Sequence, residues 1–495
     1  MRYSVYLAVL GAVLAPSACD SGLDNLCDYK GACGDGGNPD GSLDGRLDGP
    51  SIDAPVGCDL NAEPKDSPAC VADSVGIFVS STGSDTDPGT KAKPVQTIAG
   101  ALSKVGGLPR IYICAGKYPE DIVLDTSHDG VSFYGGWKCS DWSYDMSSVP
   151  VIGKGTLALR IDSLAKATTL ADLEVDASDA TTPGGSSIGV LVNASANVSF
   201  KRTTLRSGKG VAGSVGTLVP FVYPDPSTKL IGNGAMGING GAQNQVTCPA
   251  GDSTTGGKGG DGTNKDGAPG LPSIGGGAGG GWLSCANNNT NGSNGTAATA
   301  GVPGAGATSI GVLATMGWTP TDSKAGPNGT PGQGGGGGGG TGGGGGGGGG
   351  AGGCGGVGGG GGKGGGSSFA LVSLSSGVSF MSCKLLSNAA GDGGNGVPGQ
   401  TGQSPGGTGG NRTGVGCLGG NGGGGGDGGS GGGGAGGISA ALIYKNTAPT
   451  LDAATTTNST VGVAGKKGSG GTPGVNDGID GVAQTVLECK GPLCN

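Results

Sequence analysis

Two uninterrupted glycine runs, Gly334–Gly340 and Gly342–Gly350, constrain this chain more than any other feature. Ordering such a run costs about 1–2 kcal/mol of backbone entropy per residue, and there are no side chains to bury in return. It must either stay a mobile coil or be fixed by backbone packed directly on backbone. Beside the runs, glycine returns at every third position: Gly326, Gly329 and Gly332; Gly393, Gly396, Gly399 and Gly402; Gly465, Gly468, Gly471 and Gly474. Three residues is one turn of polyproline II. The spacing therefore allows a side-by-side bundle of polyproline-II segments, with flexible spacers as the alternative. Its recurrence, with cysteines nearby, favours the bundle. Collagen is excluded, because glycine fills 123 of 495 positions unevenly and proline only 27.

Between the glycine-rich stretches runs a weak apolar repeat. Ser187–Val192 is followed by Val198-Ser-Phe200 and Leu205, and Ser368–Val372 by Val378-Ser-Phe380 and Leu385. Val131-Ser-Phe133 is an earlier copy, while Thr308–Leu313 and Ile438–Ile443 repeat the first half. Alternating apolar residues mark a strand with one buried face. One coil of this kind cannot bury its face alone, but a stack of about nine makes a continuous core. Val198, Phe200, Leu205, Val378, Phe380 and Leu385 are expected inside it. The inserts 206–307, 316–366, 388–437 and 464–481 would leave from one corner of the stack. Ahead of them, Val75–Val79, Arg110–Cys114, Asp121–Leu124 and Gly130–Trp137 read as strands. Ile98, Ala101, Leu102 and Val105 fall at helical spacing.

The run from Ile77 to Leu102, then Ile111-Tyr-Ile-Cys-Ala-Gly-Lys-Tyr118 and Gly130–Trp137, resembles the opening of right-handed parallel β-helix proteins of the pectate-lyase-like superfamily. With its inserts and leader, the whole chain resembles the Gly-rich PGRS-type surface lipoproteins of myxobacteria. The resemblance implies an all-β fold: a right-handed parallel β-helix with long Gly-rich inserts, polyproline-II-like or disordered. It implies no activity. The expected organisation is a signal peptide (1–18), an Asp/Gly/Pro-rich spacer (19–73), N-terminal coils with a capping helix (74–205), further coils carrying the inserts (206–445), and a terminal coil with a cysteine-containing tail (446–495).

The leader has Arg2, a ten-residue apolar run Val5–Leu14 that is too short to span a bilayer, and Ser17-Ala18 before Cys19. Cys19 is the expected lipidation site, with ordinary signal cleavage as the alternative. Export suits fourteen cysteines. Cys27/Cys33, Cys58/Cys70, Cys114/Cys139, Cys248/Cys285 and Cys489/Cys494 are neighbours in sequence, and Cys354/Cys417 could tie two glycine-rich stretches together. Cys383 would then remain unpaired and buried. Spacing does not fix connectivity. With no Cys-x-x-Cys and a single histidine, His128 in a turn, no metal site is expected. A formal charge of −8 argues against a nucleic-acid partner. The membrane would be reached through the lipid anchor only.

Catalysis would need carboxylates and bases on one exposed face. Asp172, Glu174 and Asp176 alternate, with Asp162, Asp179, Arg160, Lys201, Arg202 and Arg206 nearby. They read as a solvated strand face, so neither catalysis nor a cofactor is expected. Gly256–Asp261 and Gly424–Asp427 echo a calcium-binding nonapeptide, but Thr263 and Gly429 stand where it needs a large apolar residue. Tyr112, Tyr118, Tyr134, Trp137 and Trp142 could form an exposed aromatic row for a glycan. The expectation is an exported, lipid-anchored protein of the cell envelope's outer surface, structural or interacting, with an unidentified surface or matrix partner, a glycan among the candidates. A surface carbohydrate-binding module is the first alternative, and a β-helical polysaccharide lyase or hydrolase the second.

Overall fold

The computed structural model describes residues 53–494. Residues 1–52, and with them Cys19, Cys27 and Cys33, lie outside the described residues. Among the described residues the chain is all-β in character: three parallel sheets of seven, six and five strands, with three short α-helices. It visits the sheets in rotation. Arg110–Cys114 joins the seven-stranded sheet, Gly116–Tyr118 the five-stranded sheet and Ile122–Leu124 the six-stranded sheet; Ser132–Trp137 then returns to the first. Seven passes are made, fewer than the repeat suggests.

Register places like residues above one another. Ile77, Ile111, Phe133, Leu170, Phe200, Phe380 and Leu451 form one ladder. Tyr118, Ile152, Val175, Leu205 and Leu385 form a second, and Leu159, Val190, Leu371 and Leu442 a third. The three meet in one core. Val198, Phe200, Leu205, Val378, Phe380 and Leu385 are all buried, and the Phe200 and Phe380 rings stack 5.4 Å apart. The helix Ile98–Lys104 buries Ile98 and Ala101 in this core, and the Thr97 side chain accepts from the Gly100 N–H at its N-terminus.

From the strand Leu157–Asp162 onward, two corners of the coil are single left-handed bends at non-glycine residues. Asp172, Arg202 and Ser382 (φ 57°, 50° and 56°) turn the chain from the seven- to the five-stranded sheet. Ser163, Ala194, Ser375 and Asn446 turn it from the six- back to the seven-stranded sheet. The third corner has no such bend, and every long insert leaves there: between Thr204–Arg206 and Ser368–Leu374, between Lys384–Leu386 and Ser439–Lys445, and before Ala483–Glu488.

The segment Thr308–Leu313 does not form a coil. Gly311–Ala314 pairs antiparallel with Gly317–Pro320, a hairpin inside the first insert. It covers the outer face of the six-stranded sheet, where Leu313 and Trp318 pack on Ile188, Leu191, Phe369 and Val372. Ser187–Asn193 and Ser368–Leu374 are therefore buried on both faces, which explains their near-continuous apolar runs.

The glycine-rich inserts are ordered by backbone hydrogen bonds that recur every three residues. Gly326, Gly329, Gly332, Gly335 and Gly338 donate to the carbonyls of Gly359, Gly356, Gly353, Gly350 and Gly347, so these segments run antiparallel. Gly353, Gly356, Gly359 and Gly362 donate in turn to Gly423, Gly426, Gly429 and Gly432, in parallel sense. Gly394, Val397, Gln400 and Gln403 donate to Lys363, Gly360, Val357 and Cys354. The period is that of polyproline II. The central segment 345–366 is mostly buried among its neighbours, and there nearly every residue is glycine. The outer segments keep one glycine per triplet facing inward. A Cβ on Gly355 would collide with the carbonyl oxygen of Gly329, and one on Gly428 with that of Val357.

Five disulfides close the described chain. Cys58–Cys70, Cys114–Cys139 and Cys489–Cys494 join sequence neighbours. The pairs Cys248/Cys285 and Cys354/Cys417 are not formed. Cys248 joins Cys354 and Cys285 joins Cys417, across 106 and 132 residues. Interleaving of the inserts brings distant segments side by side, so proximity in the sheaf replaces proximity in sequence. Cys383 is free and buried.

Candidate functional site

The aromatic residues of the first coils do not form an exposed row. Tyr112, Tyr118, Tyr134, Trp137 and Trp142 are all buried, and Phe78 joins them. Trp142 meets Phe78 edge-on at 4.7 Å and Trp137 meets Tyr112 at 5.8 Å. Tyr118 belongs to the interior core, while Tyr112, Tyr134, Trp137 and Trp142 form an outer cluster with Val71 of the stretch 55–71, which the sequence suggests is solvated spacer. That stretch lies over the outer face of the seven-stranded sheet as a strap, its loop closed by Cys58–Cys70. Arg110 Nη2 donates to the carbonyls of Leu60 and Ala62, both at 2.8 Å, while the Arg110 guanidinium sits 5.5 Å from the Tyr134 ring centre. The Tyr112 hydroxyl donates to the Cys70 carbonyl. Burial pushes the Tyr112 hydroxyl up to about 12.

Most of the charged candidates stand in ion pairs. Asp172 sits on a left-handed corner, not on the strand Glu174–Asp176, so the three acids do not share a face. Asp172 takes Arg202 bidentately, Nε at 2.7 Å and Nη2 at 2.9 Å, and accepts from the Tyr144 hydroxyl at 3.1 Å. Glu63 of the strap reaches the same arginine and also Lys201 Nζ at 3.0 Å. Burial raises the Glu63 pKa, but the bonds from Arg202 and Lys201 outweigh it and hold the carboxyl below its ordinary value. Glu174 and Asp176 lie at 3.2 and 3.9 Å from Arg206 Nε. Asp162 holds Arg160 at 2.6 Å and accepts from Asn193 at 2.7 Å. Asp179 accepts from the Lys209 N–H at 2.6 Å. His128 ends the 3-10 turn Thr126–His128. Each of these acids thus has a cation or a backbone donor beside it.

Between strap and sheet lies a cleft of about 310 Å³, bordered by Asn61, Glu63, Arg110, Ser132, Tyr134 and Lys201. Arg110 Nη1 is buried beside it without a hydrogen-bond partner. No group of three His, Cys, Asp or Glu side chains among the described residues is arranged to hold a metal ion. Asp261 and Asp427, of the calcium-like motifs, instead accept the N–H groups of Gly240 and Gly402 at 2.9 and 2.8 Å.

Those two contacts belong to a wider set that sequence reading missed. At the rim of the sheaf, where a backbone N–H has no facing segment, an Asn or Asp oxygen accepts it. Asn328 takes Gly358, Asn421 takes Gly409, Asn294 takes Asn421, Asn395 takes Ser469, and Asp477 takes both Gly470 and Gly474. The available signal was Asn or Asp within the glycine triplets, as in Gly394-Asn395-Gly396. The rim otherwise displays short side chains: in 296–303, Thr296, Ala297, Thr299, Ala300, Val302 and Pro303 are exposed while Gly301 turns inward.

No family model matches the chain, and no solved structure matches it. An uncharacterized protein of Bacillus subtilis (strain 168), YwoF, is 30% identical over 148 residues, covering 28% of this chain and 30% of that protein. No helix among the described residues is long and apolar enough to cross a membrane. Five disulfides are the mark of a chain that folds in an oxidising, extracytoplasmic compartment.

Proposed function

We propose that this chain is a non-catalytic structural and interaction protein of the cell surface, built on a right-handed parallel β-helix with a sheaf of polyproline-II segments on one corner. Right-handed connection is the rule for parallel crossovers. The observation that carries the reading is the third corner. Every long insert leaves there and locks to its neighbours through backbone bonds, which yields a wall of mostly short side chains, polar and apolar mixed. Such a wall suits contact with a neighbouring surface or matrix. The kinship with PGRS-type surface lipoproteins, and an anchor at Cys19, belong to the same proposal.

Deleting the gene and measuring adhesion together with surface fractionation tests the function. Unchanged adhesion and a cytoplasmic location would defeat it. Cys19→Ala should move the protein to the aqueous phase of a detergent partition; a wild type already found there removes the anchor. A glycan array and an assay for reducing or unsaturated sugar products should both read negative, because the aromatic side chains are covered and the acids are clamped.

A further inference from the structure

Seven Asn-Gly pairs occur in the sequence, all within the described residues. With no Cβ in the way, a glycine amide nitrogen can close on the side-chain carbon of the Asn before it. It does so when its N–H is free, because a bonded amide must first open. In six of the seven pairs that N–H is taken. Gly292, Gly295, Gly329, Gly396 and Gly422 donate to the carbonyls of Leu418, Asn421, Gly356, Ser469 and Gly407, and Gly240 donates to Asp261 Oδ1 at 2.9 Å. In five of the six, the Asn Oδ1 also accepts an N–H from a neighbouring segment. The seventh pair is Asn233-Gly234. The Gly234 N–H has no acceptor among the described residues, and both residues are exposed.

The difference is one of phase. In the sheaf, one residue per triplet points its amide at a neighbouring segment. In the six locked pairs the glycine after Asn is that residue: a Cβ on Gly295 would collide with the carbonyl oxygen of Gln333, and one on Gly422 with that of Ala351. Along 232–235 the inward amides are those of Gly232 and Ala235, which reach the carbonyls of Thr408 and Asn411, both at 2.8 Å. Asn233 and Gly234 fill the two outward places between them, and a Cβ on Gly234 would meet nothing closer than 3.7 Å. Asn233 itself is held by the Gly348 N–H on its carbonyl at 2.8 Å, and by Nδ2 on the Ala242 and Gln243 carbonyls at 3.1 and 3.4 Å. Ring closure there gives up those bonds, but none at the attacking nitrogen.

We propose that Asn233-Gly234 is a site of spontaneous covalent modification, deamidation through a cyclic imide, and that the fold protects the other six pairs. The Gly234 nitrogen bonds to Asn233 Cγ, the Cγ–Nδ2 bond breaks, and the Gly234 proton leaves with the side-chain nitrogen as ammonia. Water, the co-reactant, then opens the imide at either carbonyl and gives aspartate or isoaspartate. Both products replace the Nδ2 donor by a carboxylate beside the Ala242 and Gln243 carbonyls. Isoaspartate also puts one more carbon into the backbone between Gly232 and Ala235, which takes their three-residue step out of register. The proposal stands apart from the surface reading, since the reaction needs only the folded chain and water.

The test is prolonged incubation of the full chain, disulfides intact, in neutral buffer, followed by peptide mapping for the mass gain of about one dalton that deamidation brings. Trypsin cuts after Lys229 and Lys258, so one peptide carries both the free pair Asn233-Gly234 and the locked pair Asn239-Gly240. Asn233 should react at least about tenfold faster than any of the other six, because a locked amide reacts only from an opened state. In denaturant with the disulfides reduced, all seven should react at similar rates. Gly234→Ala, whose added carbon meets open space, should keep the fold and slow the reaction at Asn233 at least about tenfold. In the isoaspartyl fraction the Ala235 amide should exchange at least about tenfold faster than in the intact protein. A native Asn233 as slow as Asn239, or a reaction undiminished in Gly234→Ala, overturns the proposal; an Ala235 amide equally protected in both fractions overturns the effect on register.

Discussion

The coil stack and the glycine sheaf are ordered by opposite means within one chain. In the stack, side chains do the work: Ile, Leu, Val and Phe line three register ladders, and each coil buries what a lone coil would leave wet. In the sheaf, it is the lack of side chains that permits order. Backbones approach until every third N–H reaches a neighbouring carbonyl, and one added carbon at Gly355 or Gly428 would strike backbone. The stack should therefore be sensitive to deletion of atoms and the sheaf to addition. That difference can be probed at single residues.

The largest effect is expected from Phe200→Ala, which removes a buried ring stacked on Phe380. It should cost about 3–5 kcal/mol in denaturant unfolding; a loss under one would mean that the stack does not rest on its ladders. Next comes Cys248→Ala with Cys354→Ala, which opens a 106-residue loop and should cost about 2–4 kcal/mol. Hydrogen exchange should rise across 326–366 while Val198–Lys201 and Val378–Met381 stay protected. Equal loosening of both regions would break the distinction. Gly355→Val should cost about 1–3 kcal/mol or more by overpacking. Gly234→Ala, whose added carbon would meet nothing closer than 3.7 Å, should stay within about 0.5 kcal/mol. Similar values for the two would show that the sheaf is loose.

The smallest effect concerns the strap. The Glu63 pKa lies below its unfolded value, so its contribution is complete above the ordinary value of 4.5 and is lost as pH falls through the lowered one. Amide protection in 58–70, corrected for intrinsic exchange, should drop in that acid range. In Glu63→Gln it should be lower at neutral pH and flat across the range. A wild-type profile without pH dependence would falsify the ion-pair account of strap docking.

The core was legible because alternation survives translation into a ladder: Val198-Ser-Phe200 and Val378-Ser-Phe380 sit in direct register. The closing corner, the inserts' three-residue period and the free Cys383 were legible for similar local reasons. What failed was non-local. Thr308–Leu313 carries the same local pattern as a coil strand, but its partner is Gly317–Pro320 and not another coil. Cys248 and Cys285 are close in sequence, yet sheaf interleaving assigns each a partner from a different segment. Asp172 reads as an alternating strand residue because a left-handed bend at a non-glycine residue leaves no mark in the sequence. Burial of the outer aromatic cluster, Tyr112 and Tyr134 within it, involves a strap whose Asp- and Pro-rich composition suggests solvent, while its anchoring groups, Glu63 and the carbonyls of Leu60 and Ala62, are ordinary.

The three-residue period also has a mechanical meaning. A backbone of this kind rises about 3.1 Å per residue, close to the 3.3–3.6 Å of a taut chain. An α-helix can be drawn out to more than twice its length, but the sheaf has almost no slack to release. Tension along its segments would load many parallel hydrogen bonds in shear at once, across two covalent staples at Cys248–Cys354 and Cys285–Cys417. The inserts are thus nearly inextensible ties, and a pull transmitted through them would pass to the coils with little slack taken up on the way.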